Sequence, residues 1–336
     1  MQVIPAICMG IDMNRKYRLL FWLICVSADV AALLAGAYFF FGGKDFSMNQ
    51  KENSYLIGAS YMTMNNEFYT IMSEEITNRV EAEGDRMILR DPALNLERQI
   101  QQINDMLDMG IDLLILTPVD VGGLNEVLRR AREEGVYVVV LDTNVEDEEL
   151  VDCTITSDNY QAGVLVGEYF LAQNEKADII VMTHEATKSG QDRVDGFLDT
   201  VLQNENMKVA KEIECEGQLE IAMPALQKAI DGGVAFDSVF CLNDLSSVGV
   251  AAALDENGLL GEIQIYGVDG SPDAKALIAE GMMEATSAQF PSEIGKAASD
   301  AIYSLLNGEA VEKNILVPVQ LIAQDNVEQF GVDRWQ

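Results

Sequence analysis

The sequence predicts an α/β fold of two similar lobes with parallel sheets, preceded by an apolar N-terminal helix. Short apolar runs alternate with amphipathic runs, in which apolar residues such as Leu96, Ile100 and Ile103 lie three or four positions apart. Such alternation is typical of βαβ units and a parallel sheet. It pauses at an acidic loop, residues 142–150, and resumes at Cys153. The pause indicates a boundary between the two lobes.

The N-terminal region is predicted to direct export. Residues 1–18 are basic towards their end, and residues 19–42 are almost wholly apolar, which is long enough to span a bilayer. The basic flank should stay cytoplasmic, so that the rest of the chain is exported. A cleaved signal peptide with a site near residues 35–37 and an uncleaved signal anchor both fit. Apolar residues continue through residues 38–41, which favours the anchor, and residues 43–53 are predicted to form a polar linker.

Composition narrows the class of partner. The chain has 336 residues with 49% apolar content, so it can bury a sizeable core, and its formal net charge is −33. This charge opposes binding to nucleic acid and to anionic lipid, because both need clustered Lys and Arg. It is compatible with a neutral or cationic small ligand. Cys153, Cys215 and Cys241 are interpreted as isolated packed thiols, with at most one disulfide.

No catalytic set is recognisable in the sequence. The single histidine, His184, follows a predicted strand at residues 179–182 and is interpreted as a loop or lining residue. GxSxG, HExxH, P-loop and GxGxxG motifs are all absent from the sequence. We therefore expect a protein that is not an enzyme and that uses no cofactor or metal.

Polar side chains recur where predicted strands end. Asp142, Asn243, Asp269 and Gln289 each follow a different apolar run, and residues 61–69 follow the first run with two adjacent asparagines and two adjacent aromatic residues. Each Asp or Asn could separately be a helix N-cap. Because ligands of open parallel sheets bind at the carboxyl ends of the strands, the set predicts a site for a polyhydroxylated ligand.

Seven short motifs occur in an order that resembles a known family. The chain resembles the periplasmic ribose-binding proteins, of the type I sugar-binding class, from residue 54 to about residue 323. The motifs are Asn65-Asn66-Glu67-Phe68-Tyr69, Pro118-Val119-Asp120, Thr156-Ser157-Asp158-Asn159, Asp192-Arg193-Val194-Asp195-Gly196-Phe197, Asn243-Asp244, Gly267-Val268-Asp269-Gly270-Ser271-Pro272 and Ala288-Gln289-Phe290-Pro291.

The resemblance implies two Rossmann-like lobes joined by three crossings, with a monosaccharide or sugar-like molecule between them. The first lobe would comprise residues 54–156 and 290–312, and the second residues 157–289 and 313–336. A monomer is expected. The protein would lie at the extracytoplasmic face of the membrane or in the periplasmic space. It would deliver its ligand to an ABC transporter permease.

The resemblance also implies the residues of the ligand site. Carboxylates would accept hydrogen bonds from sugar hydroxyls, Arg193 would donate as a fork, and an aromatic ring would cover a C–H face. The implied set is Asn66, Phe68, Tyr69, Asp142 and Thr143 from the first lobe, Arg193, Asn243 and Asp269 from the second, and Gln289 near a crossing.

Two departures from the family pattern change the expected ligand. The family commonly has an Arg where this chain has Thr143, and an aromatic residue in the loop that here reads Cys215-Glu216-Gly217-Gln218. The site should therefore be roomier, which argues against ribose itself. Another pentose, a hexose, a nucleoside or a polyol remains open.

Two other functions share this architecture. One is a sugar-sensing module that presents its ligand to a membrane sensor kinase or chemoreceptor. The other is a transcriptional repressor, because the lactose-repressor family shares these lobes. The repressor would need an N-terminal helix-turn-helix, whereas residues 19–42 are apolar and the net charge opposes DNA binding.

Overall fold

Two six-stranded sheets organise the computed structural model, which describes residues 54–336. The predicted N-terminal helix and linker lie outside these residues. Between residues 54 and 336, no helix has the length and apolarity needed to cross a membrane.

The chain alternates strands and helices from its first described strand. The first part comprises β1 (Leu56–Ser60), α1 (Glu67–Ala82), β2 (Arg86–Arg90), α2 (Leu96–Asp108), β3 (Leu113–Leu116), α3 (Asn125–Glu133), β4 (Tyr137–Leu141) and β5 (Cys153–Ser157). The middle part comprises α4 (Asn159–Gln173), β6 (Ala177–Thr183), α5 (Lys188–Val201), β7 (Met207–Glu214), α6 (Leu219–Asp231), β8 (Ser238–Cys241), α7 (Asp244–Glu256), β9 (Gln264–Asp269), α8 (Pro272–Ala279) and β10 (Ala285–Ala288). The last part comprises α9 (Pro291–Leu306), β11 (Asn314–Val317), β12 (Gln320–Ala323) and α10 (Val327–Phe330).

Each sheet forms the centre of one lobe. The first sheet has the order β11-β5-β4-β3-β1-β2 with all neighbours parallel. The second has the order β12-β10-β9-β8-β6-β7, in which only β12 pairs antiparallel. Every residue of β3 is buried, as expected for a strand covered on both faces. The predicted α/β fold with two parallel-sheet lobes is confirmed.

Three crossings join the lobes. They lie between β5 and α4, between β10 and α9, and between β11 and β12. The predicted limits need two corrections. The pause at residues 142–150 is not the boundary between the lobes, because β5 pairs in parallel with β4 in the first sheet. In addition, β11 pairs in parallel with β5 and so belongs to the first lobe. The second lobe therefore resumes after Val317 and not at residue 313. The sequence of β11 could not reveal this, since pairing at a sheet edge depends on a tertiary approach.

Polar side chains begin several helices at the carboxyl ends of strands. The Asn66 side chain accepts a hydrogen bond from the Phe68 amide at 3.0 Å and starts α1. Asn243 does the same for α7, accepting from the Ser246 amide at 3.0 Å. These bonds satisfy amides that have no partner inside the helix. The helices therefore begin abruptly after the strands. The loops before them lie at the edges of the two lobes that face each other.

Close packing of α4 on α5 depends on two glycines. A Cβ at Gly163 would lie 2.1 Å from the Arg193 carbonyl oxygen, and a Cβ at Gly196 would lie 2.1 Å from the Tyr160 carbonyl oxygen. Both distances are far below van der Waals contact, so only glycine permits this separation of the two backbones. The packing also fixes the height of Arg193 on α5.

We expect Gly163→Ala to lower the free energy of unfolding by about 2–3 kcal/mol, because the added methyl group forces the two helix backbones apart. Urea unfolding followed by circular dichroism measures the change. The matched control is Gln161→Ala, at an exposed position of the same helix, which should change stability by less than about 0.5 kcal/mol. Equal stability of the Gly163→Ala variant and the parent would contradict the packing argument.

Candidate functional site

Two buried aspartates mark the site, one from each lobe. Asp142 follows β4 and Asp269 ends β9, and each is 4% exposed. Their φ angles are +70° and +137°, in regions that residues with a side chain rarely adopt. Such backbone strain persists only where the surrounding structure enforces it, and it is concentrated at functional sites. The two strand ends are therefore shaped around the position of a carboxylate.

Arg193 is the cation of the site and is held by three partners. Its Nε donates to Asn159 Oδ1 at 2.8 Å, and its Nη1 donates to the Leu242 carbonyl at 3.1 Å and to Asp269 Oδ1 at 3.2 Å. Gln289 Nε2 donates to the same Asp269 oxygen at 2.6 Å. These contacts fix the guanidinium plane, so Arg193 can present its remaining donors in one geometry.

The first lobe contributes an aromatic wall beside Asp142. Tyr69 Oη donates to Asp142 Oδ2 at 3.0 Å, and the Tyr69 ring packs edge-on against Phe68 at 5.6 Å between centroids. Tyr61 lies 6.3 Å from Tyr69 on the buried side. The Tyr69–Asp142 bond orients the carboxylate, while Phe68 offers an apolar face to a ligand.

Burial and Arg193 act in opposite directions on the carboxyl groups. Burial raises the pKa of Asp142, and the charges and donors of Arg193 and Tyr69 oppose that rise. Burial likewise raises the pKa of Asp269 from 3.8 to about 6, against the effects of Arg193 and Gln289. The pKa of Asp244, which lies behind Asp269, is raised by burial and by the Asp269 charge. Near neutral pH, Asp269 is thus an ionised acceptor next to Arg193.

These groups line one cavity between the lobes, of about 450 Å³ including its opening to solvent. The predicted residues that line it are Asn66, Phe68, Tyr69, Asp142, Arg193, Asn243, Asp269 and Gln289. The buried Gln289 Oε1 has no hydrogen-bond partner within the chain, so it is a further acceptor for a ligand.

Thr143 lies outside the lining of this cavity. Its hydroxyl accepts a hydrogen bond from the Ser189 amide at 3.0 Å, across the cleft. A second cross-lobe bond runs from the Val121 amide to the Ala186 carbonyl at 2.9 Å. Thr143 therefore contributes to the contact between the lobes, and a ligand contact by this residue stays a prediction.

The lining also includes residues outside the predicted ligand set. His184 was interpreted as a loop or lining residue, and it does line the cavity at the carboxyl end of β6. Burial lowers its pKa, which favours the neutral imidazole. The loop without an aromatic ring places Glu216 and Gln218 at the same wall. Their position after β7 was a usable signal, because every strand end on this edge approaches the cavity.

The described residues offer no obvious metal site. No group of three or more His, Cys, Asp or Glu side chains among residues 54–336 is arranged to hold a metal ion. The cysteines Cys153, Cys215 and Cys241 are free and buried.

Comparison with known proteins agrees with this geometry. A family model described as a periplasmic binding protein domain matches residues 57–310. The chain belongs to this family. It is 26% identical to the ribose import binding protein RbsB of Bacillus subtilis (strain 168) over 280 residues, which is 83% of this chain and 90% of the relative.

Solved structures of similar proteins have the same fold. A solute-binding protein of an ABC transporter from Mycobacterium smegmatis, with bound glycerol, is 25% identical with a TM-score of 0.78, covering 83% of this chain and 97% of its own. The binding-protein component of the arabinose ABC transporter from Shewanella sp. ANA-3, bound to L-arabinofuranose, is 25% identical with a TM-score of 0.76, covering 82% and 93%.

The raised pKa of Asp269 predicts a distinctive pH dependence of stability. Between its ordinary value and about 6, the folded chain holds this proton more tightly than the unfolded chain. The contribution of Asp269 to the free energy of unfolding therefore falls as pH rises through that window. Above the window this contribution falls no further. Asp269→Asn removes this titration. Arg193, Gln289, Asp142 and Asp244 also face the carboxyl group.

We expect the stability of the parent to fall relative to Asp269→Asn between about pH 4 and about pH 6.5, and to level off at higher pH. Urea unfolding of both proteins across this range gives the difference. Titrations distant from residue 269 cancel in it, whereas that of Asp244 does not, because the Asp269 charge raises the pKa of Asp244. A relative stability of the parent that rises with pH would show that Asp269 has a lowered pKa.

Proposed function

We propose that the chain is an extracytoplasmic substrate-binding protein that holds one monosaccharide or sugar-like polyol between its lobes and delivers it to an ABC transporter permease. The observation that carries this proposal is the cavity in which Asp142 of one lobe and the Arg193–Asp269 pair of the other face the same space. Carboxylates accept from vicinal hydroxyls, Arg193 donates to ring or hydroxyl oxygens, and Phe68 covers C–H groups.

A binding role fits this arrangement better than catalysis. The cavity groups are held by one another, as in the Arg193–Asp269–Gln289 cluster, and no nucleophile is paired with a base among them in the described residues. Delivery to a permease and location outside the cytoplasm are inferred from the family and from the predicted export segment at residues 19–42. Anchoring by that segment is part of the proposal.

A thermal-shift panel tests the proposal. The probes are D-ribose, L-arabinose, D-allose, myo-inositol and glycerol, with the disaccharide maltose as the size control. At least one probe should raise the melting temperature by about 5 °C at a concentration about a hundredfold above its Kd. Thr143 and the Gly217 loop lack the Arg donor and the aromatic ring that the family commonly has at these positions. D-ribose should therefore not be the probe that binds most tightly. No shift from any probe would overturn the assignment to sugars and polyols.

Substitutions at the two carboxylates and the cation should separate binding from folding. Asp142→Ala, Arg193→Ala and Asp269→Ala should each weaken the tightest probe of the panel by about 2 kcal/mol or more, because buried partners of its hydroxyls are left unpaired. Isothermal calorimetry measures the loss. Asp195→Asn is the control, because this exposed residue lies two positions from Arg193 on the same helix. Unchanged affinity in all three variants would place the site elsewhere.

A further inference from the structure

The segment Arg334-Trp335-Gln336, here called the strap, touches both lobes behind the cavity. Trp335 Nε1 donates to Glu67 Oε2 at 2.9 Å, and its ring lies 5.8 Å from the ring of Phe68. Glu67 is the first residue of α1, and Phe68 lines the cavity. Trp335 thus contacts the first turn of α1, which carries the apolar wall of the first lobe.

The next residue binds the second half of the site. Gln336 Nε2 lies within hydrogen-bond distance of the carbonyl oxygens of Asp269 at 3.2 Å, Gly270 at 3.1 Å and Gln289 at 3.1 Å. One amide group has two hydrogens, so the three acceptors share them. These carbonyls belong to residues whose side chains face the cavity, and to the turn after Asp269 with its strained backbone.

A buried lysine holds the strap on the second lobe. Lys275 is completely buried, and its Nζ donates to the Arg334 carbonyl at 2.6 Å and to Gln336 Oε1 at 2.8 Å. A buried ammonium group is stable only when such partners compensate its lost hydration. The strap provides two of those partners, which indicates a docked segment with a defined path.

We infer that the strap is a positioning element of the ligand site: Gln336 fixes the backbones of Asp269 and Gln289, and Trp335 joins them to Phe68 when the lobes are closed. The inference rests on the proposed function for its ligand, but the docking of the strap can be tested without one. Lys275 and Gln336 keep the strap on the second lobe, so separation of the lobes must break the contacts of Trp335 with Glu67 and Phe68. Those contacts therefore favour the closed arrangement.

Trp335 provides its own spectroscopic signal. The chain has two tryptophans, Trp22 and Trp335, so the full chain with Trp22→Phe reports on Trp335 alone. Without any probe, acrylamide should quench Trp335 weakly, and Lys275→Met or Gln336→Ala should increase the quenching about twofold. Quenching that is already as strong as for free tryptophan in the parent would overturn the docked strap, whatever the outcome of the sugar panel.

The second measurement asks whether the strap positions the site. Gln336→Ala and Trp335→Ala should each raise about tenfold the Kd of the probe that binds most tightly. This probe is chosen from D-ribose, L-arabinose, D-allose, myo-inositol and glycerol. Trp335→Phe, which keeps a ring but loses the N–H group, should recover part of the affinity. Val332→Ala is the matched control, because this side chain is 41% exposed and lies just before the strap. It should leave Kd unchanged.

The probe should also increase the shielding of Trp335 if closure brings it against Phe68. A purely structural role predicts a lower melting temperature with an unchanged Kd. That result in Gln336→Ala and Trp335→Ala, or an equal loss of affinity in Val332→Ala, would overturn the inference.

Discussion

The buried pair of Arg193 and Asp269 is the constraint on which the rest of the site depends. Its two charged groups lie 3.2 Å apart with side chains only 6% exposed. Removing two charges from water costs more than a typical ion pair returns, so such a pair is weak evidence for stability. Its retention is better explained by function. The pair gives the second lobe a fixed donor beside a fixed acceptor, and Asp142 opposes it from the first lobe.

Helix packing in the second lobe determines where that pair sits. Gly163 and Gly196 let α4 and α5 approach until backbone meets backbone, and Arg193 lies on the contact side of α5. Asn159, the first residue of α4, then reaches Arg193 Nε at 2.8 Å. Asn159 also lies directly after the first crossing between the lobes. The geometry of the binding cation is thus coupled to a crossing through one hydrogen bond and a glycine contact.

The sequence predicted the parts of the fold that are buried on both faces. β1, β3, β4, β8 and β9 are apolar runs, whereas the edge strands β2 and β7 have exposed and intermediate positions that obscure their period. β11 and β12 are short and also have exposed and intermediate positions, so the sequence did not predict them as strands. The strand-end residues of the site were predictable because parallel strands share an edge. Thr143, Trp335 and Gln336 were not, since their contacts join segments far apart in the chain.

Each half of the site is organised within its own lobe. Tyr69 orients Asp142 in the first lobe, and Gln289 and Arg193 orient Asp269 in the second. Two of the bonds that cross the cleft, from the Val121 amide to the Ala186 carbonyl and from the Ser189 amide to the Thr143 hydroxyl, join neutral groups and contribute on the order of 1 kcal/mol each. Such bonds are too weak to hold the lobes shut permanently. A ligand that bridges two preformed halves can therefore decide the population of the closed form, which is the property that a transporter or a sensor would read.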